Sequence, residues 1–248
     1  MEVHTHTHTP RRKWTHYFWE FLMLFLAVFC GFLAEYQLEH KIERDRGKIY
    51  ALNLYNELKI DTARLNEIAS RVDFISKKLD TLCLYMSEKP PGITNGMLYY
   101  YASFTTNVEY FTSNNATIEQ LKGSGNLRLL KNNVAHKISE FDKKLRELQN
   151  EYSLSKSEFE NMEILYFKIF DVYLTQKFFP RASYHLKDSV FKLNPPLIST
   201  NQALIKEFVG WAKFESGIYQ MQISIYLNPI KDVAVELLAL LKKEYRLK

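Results

Sequence analysis

Glycine and proline are scarce in this 248-residue chain, at 8 and 7 residues. A sheet protein of this length needs many turns, whereas long helices need few, so the shortage points to an all-α fold. Cysteine is rarer still, with Cys30 and Cys83 alone. The two form no metal-ligand spacing, and Cys30 lies inside an apolar run, so a disulfide between them is not expected. Also missing is any basic block interleaved with aromatics. The +5 net charge comes from 33 basic and 28 acidic residues mixed along the same segments. That is the pattern of solvated helix faces rather than of a nucleic-acid surface. A disordered chain is excluded too, because 46% of the residues are hydrophobic and a chain of this length buries a sizeable core.

What the chain does have is one long apolar run, EFLMLFLAVFCGFLAE, from Glu20 to Glu35. About 20 residues are needed to cross roughly 30 Å of hydrocarbon at 1.5 Å per residue, more than the run alone supplies. The flanks extend it. Trp14, Tyr17, Phe18 and Trp19 precede it and Tyr36 and Leu38 follow it, with Trp and Tyr of the kind that settle at lipid headgroups. The reading is a transmembrane signal anchor over residues 14–38, with the lipid bilayer as its first partner. A cleaved signal peptide competes, since Arg11, Arg12 and Lys13 precede the run. Cleavage needs small residues at the first and third positions before the cut, and Phe32 before Ala34 and Phe29 before Gly31 spoil both sites.

Orientation follows from the basic residues beside the span. Arg11, Arg12 and Lys13 put the N-terminus on the cytoplasmic side and the rest of the chain outside, although Lys41, Arg44, Arg46 and Lys48 also count on the far side. Two acids lie within the span, at the ends of its apolar run. Glu20 and Glu35 either mark an ion path or a polar contact with a partner helix, or reach a nearby base and the outer headgroups; His16 lies one turn before Glu20. The preceding residues 1–13 read as a flexible cytoplasmic tail. Its His4, His6 and His8 alternate and, with His16, offer imidazoles to a late transition metal, but no carboxylate or thiolate fixes a geometry.

Residues 39–248 read as an extracytoplasmic, periplasmic helical bundle. Between Tyr36 and Ser87 there is one glycine and no proline. Leu58, Leu65, Ile68, Val72, Ile75, Leu79 and Leu82 follow three- and four-residue spacings, with one polar slot at Asp61, which is the seam of a coiled-coil-like helix. The anchor and this seam are expected to form one helix. The EKPPGITNG stretch at residues 88–96 breaks it. A second, aromatic-rich helix is expected from Met97 to about Phe111, its rings filling a core or lining a pocket. Thr117 and Gln120 then form a capping-box pattern, and Gly123, Gly125, Asn126 and Arg128 a structural corner. Neither a preceding strand nor a Lys-Ser/Thr pair supports a phosphate loop there.

A second long seam runs from Leu127 to Phe179 through Val134, Ile138, Phe141, Leu145, Leu148, Tyr152, Phe159, Met162, Tyr166, Ile169 and Tyr173, broken at Ser155. It is expected to pack along the first. After Pro180 and Pro195-Pro196, two more helices are expected, residues 202–227 and 230–247, separated by Pro229. Trp211, Phe214, Ile218, Met221 and Ile225 supply the apolar face of the first of these.

RRKWTHYFWEFLMLFLAVFCGFLAEYQLEH, with TIEQLKGSGNLRLLKN further on, resembles an uncharacterised family of single-anchor membrane proteins, a domain of unknown function common in Bacteroidota. The resemblance implies an inner-membrane setting and brings no catalytic residues with it. No nucleophile-base-acid arrangement emerges from spacing, since His136 and His185 are isolated and Cys83 sits on an apolar face. The chain is therefore read as a non-enzymatic scaffold or accessory subunit that uses no cofactor. Its expected partners are a membrane-protein complex or another copy of itself; the alternative is a sensory, ligand-binding bundle.

Overall fold

The structure is a computed structural model that describes residues 14–179 and 186–247. His4, His6, His8 and His185 lie outside the described residues. Every regular element among the described residues is helical, as the scarcity of glycine and proline implies: α1 (Trp14–Glu88), α2 (Asn95–Ala102), α3 (Ala116–Gly123), α4 (Asn132–Ile169), α5 (Val172–Phe178), α6 (Lys187–Leu193), α7 (Gln202–Met221) and α8 (Asn228–Tyr245). The chain packs as two units, Met1–Ile49 and Tyr50–Lys248.

In the first unit, the chain from Trp14 to Ile49 belongs to α1, which near the N-terminus is long and apolar enough to cross a membrane. The apolar window has no buried residues. Phe21 stacks on Phe25 at 6.3 Å and Phe25 on Phe29 at 5.9 Å. At about 100° per residue, Phe18, Phe21, Phe25, Phe29 and Phe32 share one side of the helix, while Glu20, Ala27, Gly31 and Ala34 share the other.

The second unit begins at Tyr50. Its core has two parts. In the first, Leu54, Leu58, Leu65, Val72 and Leu79 of α1 share one apolar cluster with Val134, Ile138, Phe141 and Leu145 of α4 and Ile230, Leu237 and Leu241 of α8. In the second, Leu82 and Met86 of α1 meet Tyr99 of α2, Met162 and Tyr166 of α4 and Phe208 and Ala212 of α7. Each fully buried Leu, Val, Ile, Phe or Met among these contributes roughly 1.5–3 kcal/mol before entropy is counted.

Besides the start of α4 at Asn132 rather than Leu127, three helix boundaries differ from the sequence expectation. The second helix ends at Ala102 and passes into a 3₁₀ turn, Ser103–Thr106. There the Ser103, Thr105 and Thr106 hydroxyls donate back to the carbonyls of Tyr100, Ala102 and Ser103, which competes with helix continuation. The long seam ends at Ile169, not Phe179. Asp171 caps a separate α5 by accepting from Tyr173 N and Leu174 N, and the Ile198 N–H takes the carbonyl of Ile169 at 2.9 Å. Tyr173, expected in the seam, is 77% exposed.

The third difference concerns Pro229, which does not separate two helices. A π-helical segment, Gln222–Leu227, joins α7 to α8, and Asn228 N–H bonds the Ile223 carbonyl five residues back. Proline in a helix interior clashes with the carbonyl four residues earlier, and the widened turn makes room for the ring.

Close packing also fixes one glycine. A Cβ added at Gly96 of α2 would lie 2.4 Å from the Val190 carbonyl oxygen of α6. Gly96→Ala is therefore expected to lower stability by about 1–3 kcal/mol, a loss read as an earlier urea-unfolding midpoint.

Candidate functional site

The middle corner is built around two carboxylates of α1. Asp61, the polar slot in the first seam, is 2% exposed. It accepts from the Ser113 hydroxyl and from Asn114 N at 2.9 Å. Glu57, one turn earlier, accepts from Thr117 N at 3.2 Å and from the Thr117 hydroxyl at 2.7 Å. Thr117 N is one of the backbone donors that the start of α3 leaves unpaired. The expected capping box is thus not formed: the N-cap of α3 is Asn115, and Thr117 bonds Glu57 instead of reaching Gln120.

Gly123 ends α3 and Gly125 follows at φ +67°, a left-handed conformation that favours glycine. Asn126 opens a 3₁₀ turn and donates to the Tyr50 hydroxyl at 3.2 Å, while Arg128 in the same turn is exposed. Every one of these contacts serves the corner itself.

A second polar group joins α1 to α7. The Ser76 and Ser216 hydroxyls are 2.9 Å apart, Ser216 donates to Asp80 at 2.9 Å, and Lys213 reaches Asp80 at 2.7 Å. Next to Ser216 is Glu215, 3% exposed, with Tyr219 one turn along at 0%. The Tyr219 hydroxyl lies 2.9 Å from the Asn107 carbonyl and 3.1 Å from Glu215 Oε1. A phenol has one proton. When Tyr219 gives it to Asn107, the contact with Glu215 is a hydrogen bond only if the carboxyl is protonated and donates. Burial acts the same way, pushing the Glu215 carboxyl up to about 8 against the smaller pull of the Tyr219 hydrogen bond. The buried Glu215 Oε2 and Gln222 Oε1 have no partner among the described residues.

Sequence periodicity placed the wrong face of α7 in the core. Phe208, Ala212, Glu215, Ser216 and Tyr219 are buried, whereas Phe214 is 52% and Ile225 58% exposed. Of the expected face, Ile218 is buried. Phe214 and Ile225, with the half-buried Met221 and a half-buried Trp211 that packs against the second core cluster, leave an apolar strip on the surface, and Gly210 and Gly217 along it would have open space around an added Cβ.

A cavity of about 320 Å³ lies where α1 ends and α2 and α7 begin. Met86, Leu98, Leu197 and Ile205 give it apolar walls, and Lys89 is the one charged residue in its lining. A larger groove, about 680 Å³, runs along α1 from Lys59 to Arg71 and is open to solvent, with Glu109 paired to Arg71 at 3.2 Å.

The remaining expected positions are dispersed. Glu20 and Glu35 are exposed and have no ion-pair or hydrogen-bond partner among the described residues, so the contact from His16 to Glu20 is not made. His136 is exposed on α4. Cys83 is buried, its thiol 3.6 Å from the Val209 carbonyl. Burial and the neighbouring Asp80 charge push that thiol up to about 11, which disfavours the reactive thiolate. Lys89, Glu57 and Glu215 were not singled out from sequence. No protein-family model, curated protein or solved structure matched the chain.

Proposed function

We propose that this is a non-enzymatic single-pass protein of the bacterial inner membrane. Its N-terminus is cytoplasmic, and its periplasmic bundle serves as a scaffold or accessory subunit by pairing with a second copy of itself. The observation that carries this reading is the exposed strip of α7. A surface seldom leaves Phe214 and Ile225 exposed in line with a half-buried Met221 without a partner. Gly210 and Gly217 flatten the strip so that another helix can approach. A two-fold contact would lay this same strip of one copy on that of the other. The membrane setting draws on the apolar helix and on the resemblance of the anchor to the Bacteroidota family.

The test is the mass of the full chain purified from native membranes in mild detergent. A dimer is expected, and Phe214→Glu should convert it to monomer by burying an unpaired charge in each half of the contact. A wild-type chain that is monomeric under crosslinking overturns the proposal. Topology is tested separately by a reporter fused after Lys248, which should be active only when the reporter works outside the cytoplasm.

A further inference from the structure

We propose that the cavity bounded by the C-terminal end of α1 and the starts of α2 and α7 binds a small amphipathic carboxylate, with Lys89 as its counter-charge. This site is separate from the self-association strip, and neither depends on the other.

Size and lining come first. At about 320 Å³ the cavity falls at the lower end of ligand-pocket volumes. Met86, Leu98, Leu197 and Ile205 offer a compact apolar body somewhere to lie, and no Asp or Glu lines the space. The only ionic complement is therefore a single negative charge.

Lys89 is the second point. Its ammonium lies 3.4 Å from Gln202 Oε1, a long contact to a neutral acceptor, and it makes no ion pair among the described residues. Gln202 Nε2 is itself engaged, donating to the Thr200 carbonyl at 3.2 Å, which fixes the amide so that its oxygen is presented to the lysine. The Lys89 backbone has φ +47°, the left-handed region. Directly after a helix, that conformation is most easily taken by glycine. An L-residue there costs conformational energy, and here the cost places a cation at the mouth of an apolar cavity.

The third point is the field. Asn95 and Gln202, the first residues of α2 and α7, both line the cavity. Two positive helix ends, the negative end of α1 and one ammonium leave the space net positive. The side-chain caps Thr94 and Asn201 use part of the donor capacity of these helices, so the carboxylate is held chiefly by Lys89.

Ligand-observed NMR on the full chain in nanodiscs, with empty nanodiscs as control, tests this directly. The probes are 3-phenylpropionate and its neutral counterpart 3-phenylpropanamide. The carboxylate should bind about tenfold more tightly than the amide. Ile205→Trp should fill the cavity and abolish both. Lys89→Gly should weaken the carboxylate about tenfold, leave the amide unchanged and not lower Tm, because glycine is at ease at this φ. That last variant separates binding from folding even if Ile205→Trp fails to fold. Equal affinity for the two probes overturns the proposal. So does carboxylate binding that Lys89→Gly leaves intact, or the absence of saturable carboxylate binding.

Discussion

Glu215→Gln is expected to stabilise the bundle at pH 8 by roughly 4 kcal/mol and to flatten its pH dependence. The carboxyl is buried at 3% exposure, and desolvation pushes its folded-state pKa up to about 8 from the ordinary 4.5 of a glutamate. A raised value means that the folded chain holds a proton which the unfolded chain releases. The associated stability is fully present below about pH 4.5 and is lost as pH rises through about 8, at about 1.4 kcal/mol per pH unit in between. Glutamine keeps the shape and cannot ionise. Its amide donates to the Tyr219 oxygen while Tyr219 continues to donate to the Asn107 carbonyl, so the network is kept. Urea unfolding of the detergent-solubilised chain at pH 5 and pH 8 reads the effect. A wild-type midpoint that rises with pH over this interval, or a variant that tracks the wild type, would contradict a protonated Glu215.

The second large effect is at Asp61. By pattern alone, Asp61→Leu completes an apolar seam from Leu58 to Leu65 and ought to stabilise α1. It is expected to cost about 2–4 kcal/mol instead, because Ser113 Oγ and Asn114 N lose their acceptor in a site that is 2% exposed. Asp61→Asn keeps one acceptor oxygen and should cost about half as much. Thermal unfolding followed by circular dichroism ranks the three proteins. A Leu variant as stable as the wild type would show that the corner does not depend on this carboxylate.

Asp61 also shows how far sequence reading reaches. The all-helical class and the apolar helix near the N-terminus follow from local chemistry, scarce Gly and Pro and one uncharged run, and both are legible without coordinates. The buried positions of α1 are legible for the same reason: Leu65, Val72 and Leu79 repeat at intervals that only a helix aligns. The interruption at residue 61 was visible too, but its meaning was not, since the partners Ser113 and Asn114 come from a segment with no periodicity.

The α7 error has a different origin. Trp211, Phe214, Met221 and Ile225 are more apolar than Glu215, Ser216 and Gln222, so hydropathy selects the exposed face over the buried one. Burial there follows the hydrogen bonds of Tyr219, Ser216 and Asp80, which no spacing rule encodes. Lys89 is similarly silent, because its importance rests on a backbone angle.

The π-helical segment before Pro229 carries a consequence for insertions and deletions. A π turn holds about one residue more than an α turn, so Gln222–Leu227 counts as a one-residue insertion between α7 and α8. Removing one residue would let the turn return to α geometry with α8 facing the same way, whereas a return to α geometry with all its residues kept would rotate α8 by about 100° about its axis. Leu237 and Leu241, fully buried against α1 and α4, would then swing out of the core. Related chains should therefore either keep this residue number together with the π turn or lack one residue and run straight α-helix through the stretch.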